Sequence, residues 1–130
     1  MRRNSGLSCF LLLLLLSPLL VRAQTNSAPT RIQVKRGGPA VTIEGDVERD
    51  KEAFFVFQAK ASSKFSGHLT TKSGKAGFAV DDPDGNGLPE EEFDFNTNLT
   101  GSLKKTGDYK ITVATFDSRP VHFTLTVRVY

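Results

Sequence analysis

The segment 82–87 has side chains of the kind that form calcium-binding loops. Oxygen-bearing side chains occupy positions one, three and five of such a loop: Asp82, Asp84 and Asn86. Gly87 supplies the glycine of position six, and Glu90 stands at position nine, but Phe93 replaces the bidentate carboxylate of position twelve. Proline and glycine are also common where a strand simply turns. The residues therefore leave two interpretations open: a calcium site formed by Asp82, Asp84, Asn86 and Glu90, or an ordinary acidic turn.

A second candidate site is the motif Thr106-Gly107-Asp108-Tyr109, which directly follows Lys104 and Lys105. Gly107 permits a turn with positive φ, and Tyr109 opens a long apolar strand pattern. One interpretation is a tyrosine corner, in which the phenol hydrogen-bonds nearby backbone. The other is a protruding loop whose short polar side chains enter a partner's cleft.

The sequence offers little support for catalysis. His68 and His122 both lie in strand-like segments, and the one cysteine, Cys9, precedes an N-terminal apolar run. The many carboxylates of segment 81–94 could in principle act as a pair on a glycosidic bond. However, the chain has no tryptophan and two tyrosines, so stacking platforms for a sugar are scarce. We therefore predict a non-enzymatic protein, with a small glycoside-acting enzyme as the alternative.

The N-terminal residues have the pattern of a secretory signal peptide. A positive start at Arg2 and Arg3 precedes an apolar run, and Val21-Arg22-Ala23 suits cleavage before Gln24. We predict a signal peptide at 1–23, a flexible leader at 24–30 and one domain at 31–130, exported to the periplasm or beyond. Cys9 precedes the apolar core, so the sequence has no lipidation signal and its mature part has no disulfide.

Charge limits the choice of partner. The chain has 17 basic and 14 acidic residues, and loss of three signal-peptide arginines leaves 14 of each. A neutral domain argues against nucleic acid binding. Segment 81–94 nevertheless contains seven acids and no base. This acidic segment could steer a cationic partner, or it could be a solvated loop that maintains solubility.

Apolar and polar residues alternate with a period of two along most of the domain, notably at 41–47, 65–71, 108–116 and 121–129. About eight short strands separated by turn residues predict an all-β antiparallel sandwich or a small barrel. The continuous apolar run 54–57 predicts a fully buried strand. The last two strands, joined by a short polar turn, predict a hairpin across the core.

The order of these motifs resembles the bacterial pre-peptidase C-terminal domain family. The resemblance covers 31–130 and rests on Val41–Val47, the run 54–59, the Asp82 turn, the Thr106 motif and the closing strand. It implies a jelly-roll-like β-sandwich. A separate exported chain of this size is also similar to the periplasmic inhibitors of goose-type lysozyme, which share that sandwich.

The resemblance to the inhibitors implies a contact loop. They present Ser-Gly-x-Tyr to the lysozyme cleft, and the matching residues here are Thr106, Gly107 and Tyr109, with threonine in place of serine. Lys104 and Lys105 would pair with cleft carboxylates, and the acidic segment would meet a basic rim. The predicted function is thus a binding module that blocks a lysozyme. The alternative is an accessory or adhesion module that binds calcium or a polysaccharide.

Overall fold

The computed structural model describes residues 28–88 and 96–130, which form nine β-strands and no helix. The strands are β1 (Thr30–Arg31), β2 (Val41–Val47), β3 (Ala53–Ala59), β4 (Ser63–Thr71), β5 (Gly77–Asp81), β6 (Gly87–Leu88), β7 (Asn98–Leu103), β8 (Gly107–Ala114) and β9 (Val121–Val129). The predicted all-β class is confirmed. The predicted signal peptide, Glu90 and Phe93 lie outside the described residues. Within these residues, no helix has the length and hydropathy that a membrane crossing requires.

The strands form two sheets, ordered β1-β3-β8-β5-β6 and β2-β9-β4-β7. Every pair of neighbouring strands within the sheets is antiparallel except β1 and β3, which are parallel. Successive strands from β2 to β9 lie in opposite sheets, apart from the adjacent pair β5 and β6. This is the arrangement of a jelly roll, with β1 added at one edge. The predicted sandwich is confirmed.

The core lies between the two sheets and follows from the alternation of side chains. In β9 every apolar residue faces inward and is buried, while the threonines between them face outward. Phe55 and Phe57 are buried in the same way, but Phe54 and Val56 are half-buried on the outer face. The prediction of a fully buried strand at 54–57 is wrong, because the outer face of this sheet is open to solvent. The ammonium of Lys110 lies 5.1 Å from the Phe54 ring centroid and covers part of it.

The predicted hairpin of the last two strands is also wrong. β8 pairs with β3 and β5, whereas β9 pairs with β2 and β4 in the opposite sheet. The connection 115–120 crosses from one sheet to the other. Facing sheets lie about 10 Å apart, a gap that six residues span easily. Period-two alternation is the same for either pairing, so the pattern did not distinguish them.

Strand register places loops 60–62, 82–86 and 104–106 at the same end of the sandwich, which we call the Thr106 end. Ala59 is paired with Gly107, Ser63 with Leu103, and Asp81 with Lys110. Loops 48–52, 72–76 and 115–120 lie at the opposite end. The two candidate sites of the sequence therefore share one end of the molecule.

Gly67 allows a close approach of aromatic rings within the core. A methyl group at this position would lie 2.7 Å from Cζ of Phe78 and 3.0 Å from Cε1 of Phe65. We expect Gly67→Ala to lower the free energy of unfolding by about 1–3 kcal/mol through overpacking. Urea denaturation measures this. Gly101→Ala is the control, since Gly101 has open space around the same position; an equal loss in both variants would contradict the packing argument.

Candidate functional site

The two loops predicted as separate sites are joined by an ion-pair cluster. The ammonium Nζ of Lys105 lies 3.0 Å from Oδ2 of Asp82 and 2.5 Å from Oδ2 of Asp84. These contacts raise the pKa of Lys105 far above its ordinary value, with the Asp84 hydrogen bond as the largest cause. Lys105 therefore stays charged, and its charge is directed at this protein's own carboxylates.

Asp82 organises the turn that carries these carboxylates. Its Oδ1 accepts hydrogen bonds from the backbone N–H groups of Asp84 (2.8 Å) and Asn86 (3.0 Å), and its own N–H donates to the Asn86 carbonyl at 2.7 Å. Desolvation raises the pKa of the Asp82 carboxyl, but the Asn86 N–H, the Lys105 ammonium and the Asp84 N–H together lower it below its ordinary value. The side chain is 11% exposed and ionised in this setting.

The predicted calcium ligands are only partly assembled by the described residues. The Oδ2 atoms of Asp82 and Asp84 converge on the Lys105 ammonium, which supplies a positive charge there. Asn86 contributes to the turn through its backbone, and Glu90 lies outside the described part. Among the residues that the structure describes, no group of three or more acidic, histidine or cysteine side chains could hold a metal ion. The calcium site stays a prediction.

Gly107 lies directly against the acidic turn. Its φ is +150°, a conformation that residues with a Cβ rarely adopt. A methyl group there would also lie 2.9 Å from Cγ of Pro83. Glycine is therefore required twice, once for the backbone conformation and once for the contact between the loops.

Tyr109 connects the loop to the core, and the tyrosine-corner interpretation is confirmed. The side chain is fully buried, and its ring stacks on Phe57 with the centroids 5.5 Å apart. The hydroxyl donates to the Lys105 carbonyl at 2.6 Å and accepts from the Lys105 N–H at 3.2 Å. Tyr109 thus holds Lys105 from behind, and its side chain does not reach the surface.

Thr106 is exposed at the tip, yet its hydroxyl already has a structural role. Its Oγ1 accepts a hydrogen bond from the Ala61 N–H at 2.9 Å, which joins the loop to the neighbouring turn 60–62. Ser62 in that turn has a φ of +70°, and its N–H donates to the Leu103 carbonyl at 2.8 Å. The surface that this end offers therefore includes the Thr106 methyl group, the Gly107 backbone and the exposed Lys104.

A cleft of about 440 Å³ lies beside these loops, on the outer face of the five-stranded sheet. It is partly lined by Arg31, whose guanidinium forms a bidentate pair with Asp108 at 3.1 and 2.8 Å. The Arg31 hydrogen bond lowers the pKa of the Asp108 carboxyl. Sequence reasoning missed this pair, because the two residues are 77 positions apart and no local pattern connects them.

The two histidines lie on the outer face of the other sheet, away from the loops. Nδ1 of His122 is 2.9 Å from Oδ1 of Asp46, and the His68 ring contacts the side-chain oxygen of Asn98. Neither ring is buried.

Comparison with known proteins identifies solved structures that share this fold. No protein-family model matches the sequence, and no curated protein matches it significantly. Among solved structures, the periplasmic inhibitor of g-type lysozyme PliG from Aeromonas hydrophila is similar with a TM-score of 0.61 and 21% identity, over 78% of this chain and 96% of that one. The Salmonella Typhimurium PliG has a TM-score of 0.55 and 17% identity, over 79% and 100%.

The pre-peptidase C-terminal domain of a Bacillus anthracis collagenase is similar to a comparable degree. Its TM-score is 0.58 at 14% identity, over 78% of this chain and 95% of that domain. At these identities the shared property is the fold. The protein therefore has the β-sandwich of the PliG inhibitors and of a pre-peptidase C-terminal domain, as its sequence motifs predicted.

Removal of the Tyr109 hydroxyl tests its role in the loop. We expect Tyr109→Phe to keep the ring stack but lower the free energy of unfolding by about 1–2 kcal/mol, because the Lys105 backbone loses its partner. Urea denaturation measures the change. Tyr130→Phe is the control, since Tyr130 is 46% exposed and should change stability by less than about 0.5 kcal/mol. Equal effects would show that the hydroxyl bond does not hold the loop.

The lowered pKa of Asp82 predicts a pH-dependent contribution to stability. Because the folded-state pKa lies below the ordinary value of 3.8, the stabilisation is present above that value and is lost as the pH falls through the folded-state pKa. The melting temperatures of the native protein and Asp82→Asn should therefore differ at about pH 6 and converge at about pH 2.5. Asp50→Asn, at the exposed opposite end, is the control, and its melting temperature should differ from that of the native protein by the same small amount at both pH values. A gap that is constant with pH would contradict the assignment.

Proposed function

We propose that this protein is an exported, non-catalytic module that binds a protein partner with its Thr106 end, and that the partner is a goose-type lysozyme. The observation that carries the proposal is that three sets of contacts hold the segment 104–107. The core holds it through Tyr109, turn 60–62 through Thr106, and the acidic turn through Lys105. The loop lies at one end of a fold shared with periplasmic inhibitors of g-type lysozyme.

Rigidity favours a blocking role for physical reasons. A flexible loop loses conformational freedom when it enters a cleft, and this loss reduces the affinity. A loop already held by three hydrogen-bonded contacts loses little. Short side chains at the tip also suit a narrow cleft, since the Gly107 backbone and the Thr106 methyl group need little room.

The charges at this end suit an enzyme with an acidic cleft and a basic rim. Lys104 is exposed at the tip and would face cleft carboxylates. Asp84, whose side chain is 65% exposed, would face the rim. Such complementarity speeds association and selects among partners. Lys105 and Tyr109 would hold the loop in place without contacting the partner.

Export is part of the proposal. The pattern of residues 1–23 is that of a signal peptide, and the two similar inhibitors are periplasmic proteins. A lysozyme inhibitor must meet its target outside the cytoplasm. The N-terminal sequence of the protein recovered from the exported fraction should begin at Gln24.

Inhibition of a lysozyme tests the function directly. Purified 24–130 should slow the clearing of a cell-wall suspension by a goose-type lysozyme when the two are present at equal concentrations. No slowing at micromolar protein would remove the proposal, provided that circular dichroism shows the protein folded.

A charge reversal at the tip tests which end makes contact. We expect Lys104→Glu to weaken inhibition at least about tenfold, because it places a carboxylate opposite those of the cleft. Arg119→Glu changes the net charge equally but lies in an exposed loop at the opposite end. It should leave inhibition unchanged, and an equal loss in both variants would exclude the Thr106 end as the contact.

A second candidate is an accessory or adhesion module that binds calcium or a polysaccharide. The structural similarity to the collagenase domain is about as strong as the similarity to the inhibitors, with TM-scores of 0.58 and 0.61. The fold therefore favours this candidate about as strongly as it favours lysozyme inhibition. Calcium at Asp82 and Asp84 would have to displace the Lys105 ammonium. A melting temperature that rises in millimolar calcium and falls again with chelator would support this candidate.

A further inference from the structure

We infer that Asp82, Lys105 and Asp84 join the loops 82–86 and 104–107 into a single binding unit, in which Lys105 is a positioning residue and does not contact the partner. The inference deepens the proposed function and rests on it for the partner. It also reverses the sequence-based expectation that Lys105 pairs with carboxylates of the lysozyme cleft.

The geometry of Lys105 is the first support. Its backbone N–H and carbonyl are both bonded to the Tyr109 hydroxyl, so the core fixes the main chain. Its ammonium lies between two carboxylates of the acidic turn, so that turn fixes the side chain. Thr106 follows directly in the chain, and any displacement of Lys105 would move the tip.

A second, independent contact joins the loops. Gly107 packs against the Pro83 ring so closely that even a methyl group would collide with it. The ion pairs and this packing contact lie on either side of Thr106. Both loops must therefore move together, or both contacts must break.

The cluster also decides the charge that the unit presents. One ammonium is surrounded by two carboxylates, which leaves a net negative charge on the cluster. Asp82 is mostly covered, whereas Asp84 is largely exposed. The partner surface opposite the acidic turn should consequently be basic, and Lys105 adds no free positive charge to the contact.

Variants that each remove one charged group distinguish positioning of the loop from direct contact with the lysozyme. Lys105→Met removes the ammonium. Asp82→Asn removes one carboxylate charge but keeps an Oδ1 acceptor for the turn. If Lys105 positions the loop, each variant should weaken lysozyme binding about fivefold, mainly through faster dissociation, and the double variant should be no weaker than either. If Lys105 contacts the lysozyme, Asp82→Asn leaves the ammonium paired with Asp84 alone and more available to the enzyme. Binding then stays equal or tightens, which would overturn the inference.

Hydrogen exchange of the unbound protein tests the coupling without a partner. Lys105→Met should speed exchange of the Asp84 and Asn86 amides by about fivefold, although the substitution is in the other loop. Asp82→Asn should do the same for the Lys105 amide. Lys64→Met, an exposed position on the other sheet, is the matched control and should change neither loop.

The two measurements distinguish failure of the loop coupling from failure of the proposed function. Unchanged exchange across the loops would overturn the coupling whatever the lysozyme does. Coupled exchange in a protein that does not bind lysozyme would remove the proposed function and leave the loop unit established.

Discussion

The buried ring of Tyr109 is the contact through which the core determines the position of the loop. Phe65 of one sheet stacks on Phe57 of the other, and Phe57 stacks on Tyr109, with both pairs of centroids 5.5 Å apart. A phenol inside a core must find a hydrogen-bond partner for its hydroxyl. Here that partner is the Lys105 backbone, so the packing between the sheets extends to the tip of the molecule.

Antiparallel pairing of β5 with β8 brings the acidic turn to the same place. Asp81 at the end of β5 is opposite Lys110 near the start of β8, so the loop after one strand lies beside the loop before the other. Gly107 and Pro83 then pack together, and Lys105 reaches both carboxylates. The contact between the two loops is thus a consequence of strand order, with charge and packing added at the loops.

Sequence patterns predicted the strands well and their partners poorly. Alternation in β9 identifies its inner face, because one side of each sheet faces solvent and the other faces the core. The prediction that the strand at 54–57 is fully buried was wrong because apolar residues can also lie on an outer face, as Phe54 does beneath Lys110. The hairpin of β8 and β9 was wrong because a period of two contains no information about which sheet a strand joins.

By itself the sequence determined the all-β class and the inward face of strands with regular alternation such as β9, because these depend on local hydropathy. It left two interpretations of the 106–109 motif open, and the burial of Tyr109 against Phe57 decided between them. Only the tertiary structure decided that Lys105 pairs with Asp82, 23 residues away, and Arg31 with Asp108, 77 residues away. Charges attract at any separation in sequence, so their partners depend on which loops the folded sheets bring together.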